Sequence, residues 1–122
     1  MIAYSLNVRN EPHFPFADWI VDGSKTIETR RSANLDRLIG RRIKIVRTGQ
    51  GKAQVIGEVT ITGSKRYPSK ASFQADYHQH LVKSGSKFDF DGSKVGYLLT
   101  HPKRYEHPLD APSPKGIVYT KH

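Results

Sequence analysis

Three charged residues within six positions, Lys25, Glu28 and Arg30, form the pattern in this sequence best suited to chemistry. Lys25 lies in the turn that follows Gly23, and Glu28 and Arg30 alternate in a segment rich in Thr and Ile, which predicts a strand. Because alternate residues of a strand face the same side, Glu28 and Arg30 share a face that the flexible Lys25 side chain can reach. A lysine base, a carboxylate and an arginine that holds an anion are components of an active site.

A second interpretation gives the same three residues a structural role. Glu28 could pair with Lys25 or Arg30 in a surface ion-pair network, which would contribute about 0–1 kcal/mol to stability. The spacing alone favours neither the catalytic interpretation nor the structural one.

The elements that must position these residues follow from hydrophobic periodicity. Phe16, Trp19 and Ile20 recur at helical spacing after Pro15, which predicts a short helix over 15–22 that ends at Gly23. The same spacing favours core packing of Trp19 over contact with a base. A second helix is predicted over 69–82 with Ser69 as its N-cap, and a single helical turn over 34–40. Alternating residues predict strands over 2–8, 25–31, 41–48, 53–62, 95–100 and 116–120, with Pro102 limiting the fifth.

This order of elements predicts one α+β domain over residues 1–122. Hairpins predominate and no regular alternation of strand and helix appears, so a doubly wound parallel sheet is disfavoured. We expect a small mixed β-barrel of about five or six strands, with two inserted helices at its mouth.

Composition excludes several functional classes. The chain has 122 residues and no cysteine, which rules out disulfides, thiolate metal sites and a cysteine nucleophile. Charged residues and a proline interrupt the first twenty positions, so we expect no signal peptide, no membrane association and a cytoplasmic location.

Basic residues are concentrated in the middle of the chain. The net charge is +9, and residues 41–75 carry eight basic side chains against Glu58 alone. Such a segment attracts polyanions, nucleic acid above all, although a solvated basic face that serves solubility is the alternative. Tyr67, beside Lys65 and Arg66, is a candidate for stacking on an unpaired base. The predicted nucleic-acid-binding residues are Arg41, Arg42, Lys44, Arg47, Lys52, Lys65, Arg66 and Tyr67.

No metal or cofactor site is predicted. His78 and His80 are two positions apart, so on a helix they point in nearly opposite directions and do not chelate one metal. Either histidine remains a candidate acid or base near the predicted site. The segment 49–51 lacks the further glycines and lysine of a phosphate-binding loop.

The run containing Gly23, Lys25, Glu28 and Arg30 resembles the G-x-K-x-x-E-x-R signature that follows a short helix in ASCH domains of the PUA-like superfamily. The flanking segments 5–8, 96–100, 107–108 and 114–118 also resemble parts of such domains, so the similarity covers most of the chain. The resemblance implies a small PUA-like β-barrel with a cleft beside the motif, which binds RNA or modified nucleobases.

Three activities follow from this resemblance, and the sequence leaves them open. Some relatives are ribonucleases, some are non-catalytic nucleic-acid-binding modules, and some are amidohydrolases that deacylate N4-acetylcytidine with a catalytic Lys, Thr and Glu. Lys25 matches the Lys of that set, but Glu28 stands at the position of its Thr, and its Glu comes from the later helix. The leading hypothesis is a cleft for single-stranded RNA or a nucleobase, with Lys25, Glu28 and Arg30 as catalytic residues.

We predict that the affinity of the protein for single-stranded RNA falls steeply as salt increases, because basic side chains that bind phosphates release counterions. Replacing Arg41 and Arg42 by Ala should lower the affinity without changing sequence preference, since phosphate contacts carry little base information. Fluorescence anisotropy between low and physiological salt measures both effects. An affinity that does not vary with salt would contradict the prediction.

Overall fold

The computed structural model describes residues 2, 4–111 and 119–121. In this part of the chain, six strands and three short helices follow one another, with one 3-10 turn over Asp36–Leu38. The strands are β1 (Tyr4–Arg9), β2 (Ile27–Arg30), β3 (Arg42–Thr48), β4 (Gln54–Tyr67), β5 (Lys94–Asp110) and β6 (Tyr119–Lys121). The helices are α1 (Phe16–Val21), α2 (Lys70–Ala75) and α3 (Tyr77–His80).

The strands form one mixed sheet in the order β2-β5-β4-β3-β1-β6. β1 and β3 are parallel, and the other neighbouring strands are antiparallel. The expected α+β class with a mixed sheet and inserted helices is confirmed. The sheet is not closed into a complete barrel, because no pairing joins the edge strands β2 and β6 among the described residues. The predicted strand over 116–120 lies partly outside them.

β4 and β5 are longer than predicted. Bulges in the ladder between them accommodate residues that would otherwise end a strand. The prediction that Pro102 limits β5 is wrong, since the strand continues to Asp110. The ladder passes from Thr60↔Thr100 to Glu58↔Lys103, so β5 carries one extra residue beside Pro102. His101 adopts φ 52 at this bulge. Because Pro102 lies in the bulge, where the ladder is already broken, its missing amide hydrogen does not end the strand.

The predicted helix over 69–82 is divided in two at Asp76. Ser69 caps its first half as expected, because its hydroxyl accepts a hydrogen bond of 3.1 Å from the Ser72 amide. The Asp76 carboxylate accepts hydrogen bonds from Tyr67 at 2.7 Å and Lys65 at 2.8 Å, which ties the junction to β4. The second half ends at Leu81, which adopts a left-handed conformation with φ 59.

The main core lies between α1 and the sheet. Phe16, Ile20 and Val21 of α1 are buried there against Ile43 and Ile45 of β3 and other apolar residues of the sheet. Trp19 packs against this core and makes an edge contact with Phe16, with ring centroids 5.8 Å apart, as its helical spacing predicts. No helix in the described part of the chain is long and apolar enough to cross a membrane.

α1 approaches the sheet closely at Gly57 of β4, and this contact generates a testable prediction. A Cβ atom at Gly57 would lie 2.7 Å from Val21 Cγ1 and against the Lys103 carbonyl oxygen. We expect Gly57→Ala to reduce the free energy of unfolding by about 1–3 kcal/mol, because backbone and helix must shift. Gly63→Ala on the same strand is the control, since its nearest neighbour would be Leu98 Cδ1 at 3.7 Å. Urea unfolding compares the two, and equal stabilities would contradict the prediction.

Candidate active site

Lys25 is buried where the turn after α1 meets α3. Its backbone amide donates a hydrogen bond of 2.9 Å to the Trp19 carbonyl, which closes the turn after the helix. Its side chain is 1% exposed, and Nζ donates a hydrogen bond to the backbone carbonyl of His80. Nζ also lies 4.9 Å from the centre of the Phe16 ring. The amine is therefore held by one neutral acceptor and one aromatic face inside the protein.

Glu28 and Arg30 meet Lys25 in the same place. Glu28 Oε1 lies 3.8 Å from Lys25 Nζ, and Oε2 accepts a hydrogen bond of 2.7 Å from Arg30 Nη2. The same Nη2 donates to the Asn7 carbonyl of β1 at 3.2 Å, while Arg30 Nε is buried without a partner among the described residues. The structure thus brings the three predicted residues together through a central carboxylate.

Burial controls the protonation of Lys25. Desolvation of the ammonium lowers the pKa of Lys25 to about 8, from an ordinary value of 10.5. The Glu28 carboxylate opposes this change, and the Arg30 guanidinium adds to it. A useful fraction of Lys25 is therefore neutral near physiological pH, so the amine can accept a proton.

These residues form part of the wall of a cleft of about 550 Å³. This volume falls within the range of small-molecule binding sites. Its charged lining consists of six basic side chains, Arg9, Lys25, Arg30, Arg31, Lys87 and Lys94, against the acidic Glu11, Glu28 and Asp91. The cleft therefore has a surplus of positive charge, which suits an anionic ligand.

The basic residues predicted to bind nucleic acid lie elsewhere. None of these seven lines the cleft, and four of them are paired with carboxylates. The pairs are Arg42–Glu58 at 3.0 Å, Arg47–Asp18 at 3.3 Å, Lys52–Asp110 at 2.9 Å and Lys65–Asp76 at 2.8 Å. Three of these acids lie outside residues 41–75, so the folded surface carries less local charge than the segment does.

Three of the predicted basic residues keep no acidic partner. Within the described part of the chain, Arg41, Lys44 and Arg66 have no carboxylate within 4.0 Å, and Arg41 packs over the Tyr4 ring at 5.4 Å. Arg41 and Arg66 are exposed and Lys44 is partly exposed, so these three remain candidates for phosphate contacts.

The prediction that Tyr67 stacks on a base is wrong. Tyr67 is 4% exposed, and its ring makes an edge contact with the Phe73 ring, with centroids 5.2 Å apart. Its hydroxyl donates a hydrogen bond to Asp76, and burial together with this carboxylate raises its pKa well above the usual range. β4 extends beyond its predicted end, which carries Tyr67 under α2 rather than into a surface loop.

Neither candidate histidine is an acid or base at this site. The Val82 amide donates to His80 Nδ1 at 2.9 Å, so the proton is on Nε2, which donates to the Phe73 carbonyl at 2.6 Å. The His80 ring is fully buried and stacks on Phe73, and burial lowers its pKa, which keeps it neutral. His78 is exposed and does not line the cleft. Within residues 2, 4–111 and 119–121, no three His, Cys, Asp or Glu side chains are grouped so that they could hold a metal ion.

Sequence reasoning missed the basic residues of the cleft other than Lys25 and Arg30. Arg9 ends β1, Arg31 follows β2, Lys87 lies in the loop after α3, and Lys94 begins β5. They are dispersed along the chain, so no local charge excess marks them. The only available signal is that Arg31 directly follows the strand that carries Glu28 and Arg30.

Comparison with known proteins identifies the same family that the motif resembles. The ASCH domain model matches residues 12–108. Two similar solved structures are mutants of ASCH from Zymomonas mobilis, one with serine replaced by alanine and one with tyrosine replaced by phenylalanine. The first has a TM-score of 0.74 and 22% identity, and covers 97% of this chain and 87% of that chain. The second has a TM-score of 0.69 and 22% identity, and the matched region covers 87% of this chain and 75% of that chain. This similarity establishes a shared fold, which is PUA-like. No match is found among curated protein sequences.

The depressed pKa of Lys25 predicts a specific dependence of stability on pH. The folded state binds the Lys25 proton less tightly than the unfolded chain does, so the protonated amine destabilises the fold below about pH 8. Between about pH 8 and 10.5 the folded state has lost this proton while the unfolded chain still holds it, so the free energy of unfolding rises with pH. We expect the free energy of unfolding of the wild type to rise over this interval relative to Lys25→Met, by roughly 1–3 kcal/mol. Urea unfolding at pH 7 and pH 9.5 measures the difference. Lys103→Gln, an exposed charge on β5, should follow the wild type. An unchanged difference between wild type and Lys25→Met would contradict the prediction.

Proposed function

The chain belongs to the ASCH domain family, and on that premise we propose that its cleft binds a nucleotide of single-stranded RNA and that Lys25 catalyses hydrolysis of the bound strand. The observation that carries this proposal is a buried amine with a pKa of about 8, in the wall of a cleft with a surplus of basic side chains. Such an amine is suited to proton transfer, and such a cleft is suited to a phosphodiester.

Each of the three residues has a distinct role in this reaction. Neutral Lys25 accepts a proton from a water molecule as the water oxygen forms a bond to phosphorus. The bond from phosphorus to the leaving sugar oxygen breaks, and its electron pair stays on that oxygen, which takes the proton from the Lys25 ammonium. Glu28 stabilises the ammonium between these two transfers, because its carboxylate lies 3.8 Å from Nζ.

Arg30 acts on the reaction through Glu28. Its hydrogen bond of 2.7 Å to Oε2 fixes the carboxylate, and its bond to the Asn7 carbonyl fixes the guanidinium against β1. We therefore regard Arg30 as a positioning residue. This role differs from a direct clamp on the substrate, which the sequence also allowed.

Deacylation of N4-acetylcytidine is the second candidate. A cleft of about 550 Å³ holds a single nucleoside, and the same amine could accept a proton from a water molecule that attacks the amide carbonyl. Two features of this chain count against it. Glu28 stands where the amidohydrolases that the motif resembles have a Thr. Asp76, the acidic residue between the later helices, is bound to Tyr67 and Lys65 and does not line the cleft. Strand hydrolysis is therefore the favoured reaction.

The experiment offers single-stranded RNA and N4-acetylcytidine to the wild type, Lys25→Met, Glu28→Gln and the control Lys103→Gln. We expect RNA cleavage whose kcat/KM rises with pH to a plateau above about 8, because the neutral amine is the active form. Lys25→Met should lose the activity. Glu28→Gln should reduce the activity. It should also move the rise of kcat/KM to lower pH, because without the carboxylate the pKa of Lys25 falls further.

The outcomes separate the three activities. Deacylation without strand cleavage would select the amidohydrolase, and tight RNA binding without either reaction would select a non-catalytic module. RNA cleavage that persists unchanged in Lys25→Met would overturn the mechanism. Lys103→Gln should keep wild-type activity, since this exposed side chain lies outside the cleft.

A further inference from the structure

Lys94 is a second buried lysine in the wall of the cleft, and the mechanism above does not use it. The residue is 7% exposed. No hydrogen bond or salt bridge within 4.0 Å joins its amine to another group in the described part of the chain. Lys25 is held by a carbonyl and a carboxylate, whereas Lys94 lines the cleft and its amine has no such contact among the described residues.

The position of Lys94 follows from the ladder between β2 and β5. Arg30 pairs with Val95, so the next residues outward, Arg31 and Lys94, lie beside each other at the end of the two strands. On the other side of β5, Lys94 pairs with Tyr67 of β4, which is uncharged and packed in the interior. The main chain therefore places two cationic side chains next to each other at the cleft.

The carboxylates that influence Lys94 are Asp91, Asp89 and Glu28, and each is already engaged by another residue. Asp91 pairs with Arg31 at 2.8 Å, and Glu28 pairs with Arg30 at 2.7 Å. Asp89 accepts hydrogen bonds from the Gly85 and Phe90 amides and lies 3.4 Å from Lys70. In the described part of the chain, none of these carboxylates lies within 4.0 Å of the Lys94 amine, so each attracts it only from a distance.

An ammonium in this position is unfavourable, since burial removes its hydration without supplying a counter-charge in direct contact. The same burial lowers the pKa of Lys94. The Asp91 carboxylate opposes this change, and the neighbouring Arg31 guanidinium adds to it. An anion bound in the cleft would supply the missing counter-charge, through a hydrogen bond in which both partners are charged.

We propose that Lys94, with Arg31 beside it, is an anion subsite that binds the phosphate group of the nucleotide in the cleft. The identity of the ligand rests on the proposed function, but the subsite itself requires only an anion of phosphate type. The cleft then selects nucleotides over nucleosides, because a nucleoside leaves the Lys94 ammonium without a partner. This selectivity favours a phosphodiester over a free nucleoside as the substrate.

Isothermal titration calorimetry with inorganic phosphate, and with the four ribonucleosides and their 3′- and 5′-monophosphates, tests the subsite. We expect at least one monophosphate to bind the wild type about tenfold or more tightly than its nucleoside, and inorganic phosphate to compete with it. Lys94→Gln should abolish this preference, and Lys94→Arg should retain part of it by keeping the charge. Lys103→Gln, which removes an exposed charge from the same strand, should bind as the wild type does.

Equal affinities of the wild type for nucleosides and monophosphates would overturn the proposal, and this measurement does not depend on whether any variant folds. A preference that Lys94→Gln preserves, or that Lys103→Gln loses to the same extent, would also overturn it. Circular dichroism checks that the variants fold. Phosphate binding without RNA cleavage would support the subsite and refute the proposed hydrolysis. RNA cleavage without a preference for monophosphates would support the hydrolysis and refute the subsite.

Discussion

The burial of the Lys25 amine is the constraint on which the candidate site depends. An ammonium removed from water must be compensated, and here the compensation comes from three separate elements. The His80 carbonyl at the end of α3 accepts its hydrogen bond, Glu28 of β2 lies 3.8 Å away, and the Phe16 ring of α1 faces it. Helices and strand are thus fixed around one cation, and the compensation is incomplete enough to leave its pKa near 8.

The cluster behind Lys25 explains why aromatic and polar residues of the later helices are structural. The His80 carbonyl can receive the amine because the His80 ring is fixed by Phe73 and Val82. Tyr67 packs against the same cluster and is anchored by Asp76. These groups contribute to function only indirectly, by holding one carbonyl oxygen at the position the lysine requires.

The charge distribution shows a second effect of folding. In the chain, residues 41–75 hold most of the excess positive charge, but ion pairs with Asp18, Asp76 and Asp110 neutralise part of it. At the cleft the opposite occurs, since basic residues from β1, β2, β5 and a loop converge there. A linear count of charges therefore locates the positive surface poorly, because pairing partners are distant in sequence.

Local pattern in the chain was sufficient to predict α1, the Ser69 cap and the contact among Lys25, Glu28 and Arg30, because each depends on neighbours within a few residues. The motif also led to the correct family. Local pattern did not reveal the extension of β4 and β5, the break at Asp76 or the burial of Tyr67, because bulges and long-range hydrogen bonds determine them. Nor could it show that Lys94 lines the cleft with no hydrogen bond or ion pair to its amine in the part of the chain that the structure describes. That arrangement exists only because β2 and β5 pair and because the carboxylates nearby are already occupied by other cations.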